Sequence, residues 1–457
     1  MSATVTTARH PLAQIVAIHG GTGIDFLRKV AHRHKALGFG TLVARKEQYS
    51  RWTRPERPAI PEMPTQLAIA HLLDIAAEHV HKRPWPQWLT LALRDESAVW
   101  AAPWTPAGTI HALDVAGGPV DRRGFLTAAT TTTASVLAQW ATAPNSTAST
   151  TSGQRIGTRA ADLIDLRLTA LRHLDDELGG GRVLDAALTE QRMIKGLLKE
   201  KTFNETTGRR LFAAASEASR LAGWCAYDSN YIAAAEGHFA TALRASASSG
   251  DAAPGLIATA FWANTRYACA QPDPHSALDM LDAALSTAGR AGTPRTITLL
   301  HIRRARAHSV AGQPTAAYRA IDSALAAYQR AEPPAADLPA LYWVNEGEIY
   351  EAAASSALDL GDPARALSYF GNAASTSDPY NPEREPRGAA IYQARIASAH
   401  LALGSLDAAL DAAHRVIALM GGVDSARGST TVTELRRALA RHRSAPSVAS
   451  FLDATAT

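Results

Sequence analysis

The side chains best placed to do chemistry in this 457-residue chain lie together at 45–57. Arg45, Lys46, Gln48, Ser50, Arg51, Arg54 and Arg57 surround two aromatic residues, Tyr49 and Trp52. Arg, Gln and Ser can address base edges in a major groove, while Lys and Arg take phosphates, so this set has the chemistry of a double-stranded DNA reader. Its setting agrees. Residues 1–60 carry ten Lys/Arg against Asp25, Glu47 and Glu56, although the whole chain has a net charge of only +4. A basic head on a mildly acidic body points to nucleic acid as the head's partner; the competing reading is a solvated basic face.

Other reactive groupings are weaker. GGTG at 20–23 lacks the Lys-Ser/Thr of a phosphate-cradling loop. His32 with His34, and His79 with His81, would stand about 200° apart on a helix, a poor geometry for one metal ion. Asp175-Asp176-Glu177, ahead of Gly179–Gly181, reads as a solvated helix end. The only two cysteines, Cys225 and Cys269, exclude a disulfide framework and fit core positions of helical repeats. No G-x-S-x-G motif occurs, and no apolar run has the length of a membrane span. The expectation is a cytoplasmic protein that is not an enzyme, with no catalytic residue, metal or cofactor and no membrane partner.

The elements that must position the basic cluster are helical. The chain is 46% apolar but only 6% aromatic, and alanine, the best helix former, supplies much of the difference. An all-α fold follows. The head pattern predicts helices over Pro11–His19, Ile24–Ala36, Lys46–Trp52 and Met63–Ala77. Composition predicts three segments: a helical head at 1–115, a Thr/Ser/Ala-rich linker at 116–158 and a repeat domain at 159–450. In the last, five helix pairs share a skeleton of a small residue, a turn, then Ala-x3-large-x2-small. They read Gly223/Asn230/Ala235/Phe239/Ala242, Ala268/Pro272/Ala277/Leu281/Ala284, Ala305/Gly312/Ala317/Ile321/Ala324, Ala354/Gly361/Ala366/Phe370/Ala373 and Ala397/Gly404/Ala409/Ala413/Val416. Alanine four residues before a large side chain shares its helix face, admitting a partner helix beside the bulk that fills the gap. One pair cannot bury that face alone, so the pairs must stack into a superhelix.

This skeleton resembles the tetratricopeptide repeat, with departures. Its repeats lie 40–49 residues apart, and Ala226, Ala268, His308, Ala357 and His400 stand where that family carries Tyr. KEQYSRWTRPERP, in turn, resembles the recognition helix and following turn of lambda-repressor-like helix-turn-helix domains. That likeness implies Gln48, Ser50 and Arg51 facing DNA, Tyr49 and Trp52 packed inward, and Arg45, Arg54 and Arg57 on phosphates. The stretch Leu37–Ala44 is longer than the turn those domains use. With PWTPAGTIHAL, LAGWCAYD and LDLGDPARAL in order, the chain resembles actinobacterial transcriptional regulators that join such a head to tetratricopeptide-like repeats.

The resemblance implies a regulator whose superhelix binds a peptide or protein, with pairing of two copies as a further expectation. Tyr227, Trp262, Arg266, His301, Arg304, His308, Tyr342, Trp343, Asn345 and Glu346 are the residues expected to line its groove. Two alternatives remain: a repeat scaffold or antagonist of other regulators that does not touch DNA, and an exported repeat protein. The second rests on DRRGFL at 121–126, a twin-arginine-like sequence placed far from the N-terminus.

Overall fold

The computed structural model describes residues 10–18, 22–54, 58–73, 75, 77–89, 97–117, 133–143, 154–269, 271–333, 336–377 and 381–455. Among them the chain divides into two compact units, one reaching to Ala101, the other comprising Ala102–Gly117 and the described residues after Thr132. Both are all-α apart from one two-residue parallel pairing, β1 (Gln154–Arg155) with β2 (Lys201–Thr202).

The first unit contains α1 (Pro11–Ile18), α2 (Gly23–Ala36), α3 (Lys46–Trp52), α4 (Met63–Leu72), α5 (Ala77–Lys82) and α6 (Ser97–Ala101). The first three agree with the expected helices to within a residue, and α4 ends five residues early. Leu12, Ile15, Phe26, Leu27, Val30, Trp52, Ile69, Leu73 and Trp88 form the core. A buried amide ties it together: Gln66 donates to the Pro61 carbonyl (2.8 Å) and accepts from Trp88 Nε1 (3.0 Å). The extra stretch between α2 and α3 is a built loop. His34 Nδ1 lies 3.0 Å from the Gly40 carbonyl oxygen, and Leu42 and Ala44 pack on the core.

The second unit begins earlier than composition suggests. Helix α7 (Pro106–Ala116), expected within the head, packs on the repeats instead. Thr109 Oγ1 lies 2.8 Å from Ser248 Oγ, and Leu113 joins a core with Ile164, Leu168 and Leu211. The segment expected as linker also contains a helix, α8 (Thr133–Thr142), docked through buried Val136, Leu137 and Trp140. These three share one helix face, so an apolar stripe survives in a stretch whose composition is otherwise small and polar. Trp140 Nε1 donates to Ser246 Oγ at 3.3 Å. Asp121, Arg122 and Arg123 lie outside the described residues.

Seven antiparallel helix pairs follow: α9 (Thr158–Leu178) with α10 (Gly180–Glu200), α11 (Glu205–Asp228) with α12 (Ile232–Ser249), and α13 (Ala253–Tyr267) with α14 (Pro274–Ala291). Next come α15 (Pro294–Val310) with α16 (Pro314–Tyr328), α17 (Glu346–Asp359) with α18 (Pro363–Ala374), α19 (Pro386–Ala402) with α20 (Leu406–Met420), and α21 (Ala426–Ala440) with α22 (Pro446–Ala454). The small residue of the skeleton earns its size: a Cβ added at Gly223 would sit 3.0 Å from the Phe239 ring. The expected turn residues Asn230, Gly312, Gly361 and Gly404 all have left-handed backbone, φ 65°, 69°, 77° and 75°. The second repeat departs from its expected register. Ala268 lies past the end of α13 and is exposed; Ala263, fully buried in mid-helix, occupies the packing position, and Asp273 caps α14 through the Ser276 N–H (3.0 Å). Cys269 thus lies in a turn, whereas Cys225 is fully buried on α11.

First helices of successive pairs form the inner wall, and this wall closes on itself. Helix α19 packs against α9, and the turn before α21 is clamped to the α9–α10 corner. Asp424 N–H donates to the Leu178 carbonyl (2.9 Å), and Gly181 N–H to the Asp424 carbonyl (3.0 Å). Beneath this clamp Asp228, fully buried, accepts from Gly180 N–H (2.9 Å), Ser425 Oγ (2.9 Å), Arg387 (3.0 Å) and Arg427 (3.2 Å). Arg387 also grips Asp175 at 2.8 Å. The acidic run at 175–177, expected to be a solvated helix end, therefore supplies part of a buried latch.

Candidate functional site

Two sites emerge, one in each unit. In the first, α3 is seven residues long and held by Trp52, buried in the core, and by Tyr49, half-buried against α2. The approach is close: a Cβ on Gly23 would fall 2.2 Å from the Tyr49 ring. Thr53 Oγ1 donates to the Tyr49 carbonyl (2.9 Å) and closes the helix. With 49 and 52 inward, Glu47, Ser50, Arg51 and Arg54 form the outward stripe, flanked by exposed Arg45 and Lys46.

The structure thus brings Arg45, Lys46, Ser50, Arg51 and Arg54 together on open surface. Gln48 differs from expectation. It stands four residues before Trp52, on the edge of the inward face, and its Oε1 is buried without a hydrogen-bond partner. Glu47 shares the outer face and sets a negative charge among the arginines. Arg57 lies outside the described residues.

The second site is the space enclosed by the inner wall of the helix pairs, a cavity of about 590 Å³. Of the ten residues expected in a groove, Tyr227, Tyr342 and Trp343 line it. The other seven do not, and for the five on α13 and α15 the reason is a rotation of one residue. Trp262 and Arg304 each precede the small residue of their repeat, and Arg266 and His308 follow it by three, so they face the preceding pair. Trp262 is fully buried beside Phe239, Arg266 pairs with Glu236 (2.9 Å) and Arg304 with Asp282 (2.9 Å). His301 belongs to the same stripe, His308 lies 2.7 Å from Gln313 Oε1, and Asn345 caps α17 by accepting from Glu348 N–H (2.8 Å). Glu346 is exposed at the start of that helix.

The lining residues stand two before and one after the small residue: Leu221 and Trp224, Phe261 and Asn264, Arg303 and Arg306, Arg395 and Ser398. That register was readable in the skeleton once Ala263 replaced Ala268, and with it Arg303, Arg306 and Arg395, which sequence reasoning missed. Arg387 and Arg427 were not readable, because their place depends on ring closure.

The wall chemistry is arginine, aromatic and carboxylate. Trp224, Phe261 and Trp343 make a continuous strip, with ring centroids 5.0 and 5.9 Å apart. Arg220 stacks over Phe261 (4.4 Å) and Arg427 over Trp224 (4.6 Å). Burial raises the Glu217 carboxyl, but Arg220 and Arg172 outweigh it and hold the group at about 2. Burial, with the charge of Asp175 beside it, pushes Asp176 up to about 7; Tyr342 donates a short hydrogen bond to it. Glu348 is likewise raised by burial to about 7 despite Arg303 and the Tyr392 hydroxyl. Among the described residues no group of three or more His, Cys, Asp or Glu is arranged to hold a metal ion. Nor is any described helix long and apolar enough to cross a membrane. No family model, curated protein or solved structure matches this chain.

Proposed function

We propose that this chain is a cytoplasmic DNA-binding transcriptional regulator whose superhelix of helix pairs takes a ligand into its lumen. The observation that carries the reading is the face of α3: a short helix anchored by Tyr49 and Trp52 that presents Ser50, Arg51 and Arg54 outward, with Arg45 and Lys46 at its start. Such a helix offers base-edge donors at its centre and phosphate contacts at its ends. The second unit supplies the sensing half. Its cavity lies within the range of small-ligand sites, about 300–1,000 Å³, so the peptide or protein partner expected from sequence narrows to an extended segment or a molecule of that size. A ligand that fits two shapes of the ring unequally would shift how the heads engage DNA. Against export stands α8, which follows the twin-arginine sequence and is packed into the second unit through Trp140.

Fluorescence anisotropy of the full chain on DNA from its own upstream region, across a salt series, tests the reading. Binding that survives unrelated competitor DNA and weakens steeply with salt is expected. Arg51→Ala should weaken it and lower the logarithmic salt slope by about one. Absence of binding at low salt would leave a partner-binding scaffold.

A further inference from the structure

Seven arginines line the lumen, with no lysine among them: Arg172, Arg220, Arg303, Arg306, Arg387, Arg395 and Arg427. Five are met by carboxylates at close range. Arg172 and Arg220 share Glu217 (2.9 and 2.7 Å), Arg387 and Arg427 share Asp228 (3.0 and 3.2 Å), and Arg306 holds Asp359 (2.5 Å). Arg303 and Arg395 are not so met. The carboxylate facing Arg303 is Glu348 at 4.0 Å, and Arg303 Nε has no hydrogen-bond partner although the side chain is only 11% exposed. Arg395 donates to Ser355 Oγ and makes no ion pair among the described residues; Arg306 beside it adds a like charge, which Tyr392 and Asp359 offset only in part.

Both guanidinium groups act on one spot. Each influences Glu348 and Tyr392, and Tyr392 donates to Glu348 at 3.0 Å. Burial raises the Glu348 carboxyl to about 7, so near neutral pH it is only partly ionised and offsets the pair incompletely. A desolvated guanidinium whose charge is incompletely matched is costly, and an incoming anion lowers that cost. Aromatic faces fix the planar donors: Arg303 lies 5.3 Å from the Trp343 ring and 5.9 Å from Phe261, and Arg395 lies 5.8 Å from Tyr392. Held this way, the two present forked donors suited to a carboxylate or phosphate.

We propose that the lumen binds a small organic anion, its charged head between Arg303 and Arg395 and its apolar body against the Trp224–Phe261–Trp343 strip. The cavity volume limits the body to the size of a small metabolite or drug. This names the ligand class of the sensing half and rests on the lumen being a ligand site; it does not require the head to bind DNA.

The test uses the full chain, with hydrocinnamate, phenyl phosphate and the neutral hydrocinnamamide as probes and quenching of tryptophan fluorescence as the readout. Saturable quenching by at least one anion, in the millimolar range, is expected, with the amide at least about tenfold weaker. Whichever anion binds more tightly identifies the head group. Arg303→Gln and Arg395→Gln should each weaken the anion by at least about tenfold, while Arg304→Gln, on the face paired with Asp282, leaves it unchanged. Circular dichroism checks the fold of each variant, and either lumen variant alone suffices. Equal binding of amide and anion, equal loss in Arg304→Gln, or no saturable response to either anion would overturn the proposal. Since no DNA is present, these outcomes are independent of the anisotropy result.

Discussion

Asp228→Ala removes the centre of the latch that closes the ring. The side chain is fully buried and accepts from Gly180, Ser425, Arg387 and Arg427, joining α10, α11, α19 and the start of α21. Burial alone would raise its carboxyl, but Arg387 and Arg427 outweigh it and hold the group below the usual range, so it is ionised at neutral pH. Breaking a buried ion pair by deleting one partner costs about 3–5 kcal/mol. Arg387 keeps Asp175 at 2.8 Å, which places its share at the low end, and the orphaned Gly180 N–H adds about 1 kcal/mol. The sum, about 4 kcal/mol, corresponds in a unit of this size to a melting temperature lower by roughly 5–6 °C. Thermal denaturation followed by circular dichroism measures it. Asp424→Ala serves as control: its carboxylate is 58% exposed and 3.7 Å from Arg182, and its loss should shift the transition by less than about 2 °C. An Asp228→Ala protein melting within about 2 °C of wild type would refute the latch.

Three further outcomes are expected. Glu348, raised to about 7 in the folded chain against 4.5 when free, penalises the folded state progressively as pH rises from about 4.5 to about 7; Glu348→Gln should remove that decline and gain about 1–3 kcal/mol at pH 8 in urea titrations. Glu217 has the opposite sign: its folded value of about 2 means that stability is present above about 4.5 and is lost as pH falls toward 2, a loss that Glu217→Gln should abolish. Trp140→Ala should cost about 3 kcal/mol in the same titrations, because a buried indole and its bond to Ser246 are lost together.

Local pattern carried much of this architecture. The first three helices of the head, the anchoring of Lys46–Trp52 by its aromatics and the Ala-x3-large spacing all depend on neighbours within a few turns, where periodicity is a direct physical signal. Gln48 shows the resolution limit: on a seven-residue helix its angular distance from Trp52 is small, and polarity alone does not reveal that it stands half-buried at the boundary of the two faces. The second repeat is ambiguous in sequence because Ala268 has the right type but stands beyond the helix end, while Ala263 is one of several alanines along the helix. Asp175, Asp228, Arg387 and Ser425 could not be associated from sequence. Their meeting depends on small rotations accumulated over six helix pairs, which no local window contains.

Closure of the ring also bears on how the chain is made. An open solenoid can complete each helix pair as it leaves the ribosome, since every contact is with a neighbour. Here Asp175 and Asp228 wait for Arg387 and Ser425, each pairing across 159 residues or more. At about 5–20 residues per second that interval lasts roughly 10–40 s, and joining ends so far apart costs about 5 kcal/mol of loop entropy before any latch contact repays it. Through that time the nascent inner wall, with Trp224, Phe261 and its arginines, stands uncovered. The first pairs synthesised are among the last to reach their final state, and the translating ribosome, rather than the finished protein, meets this surface at its most adhesive.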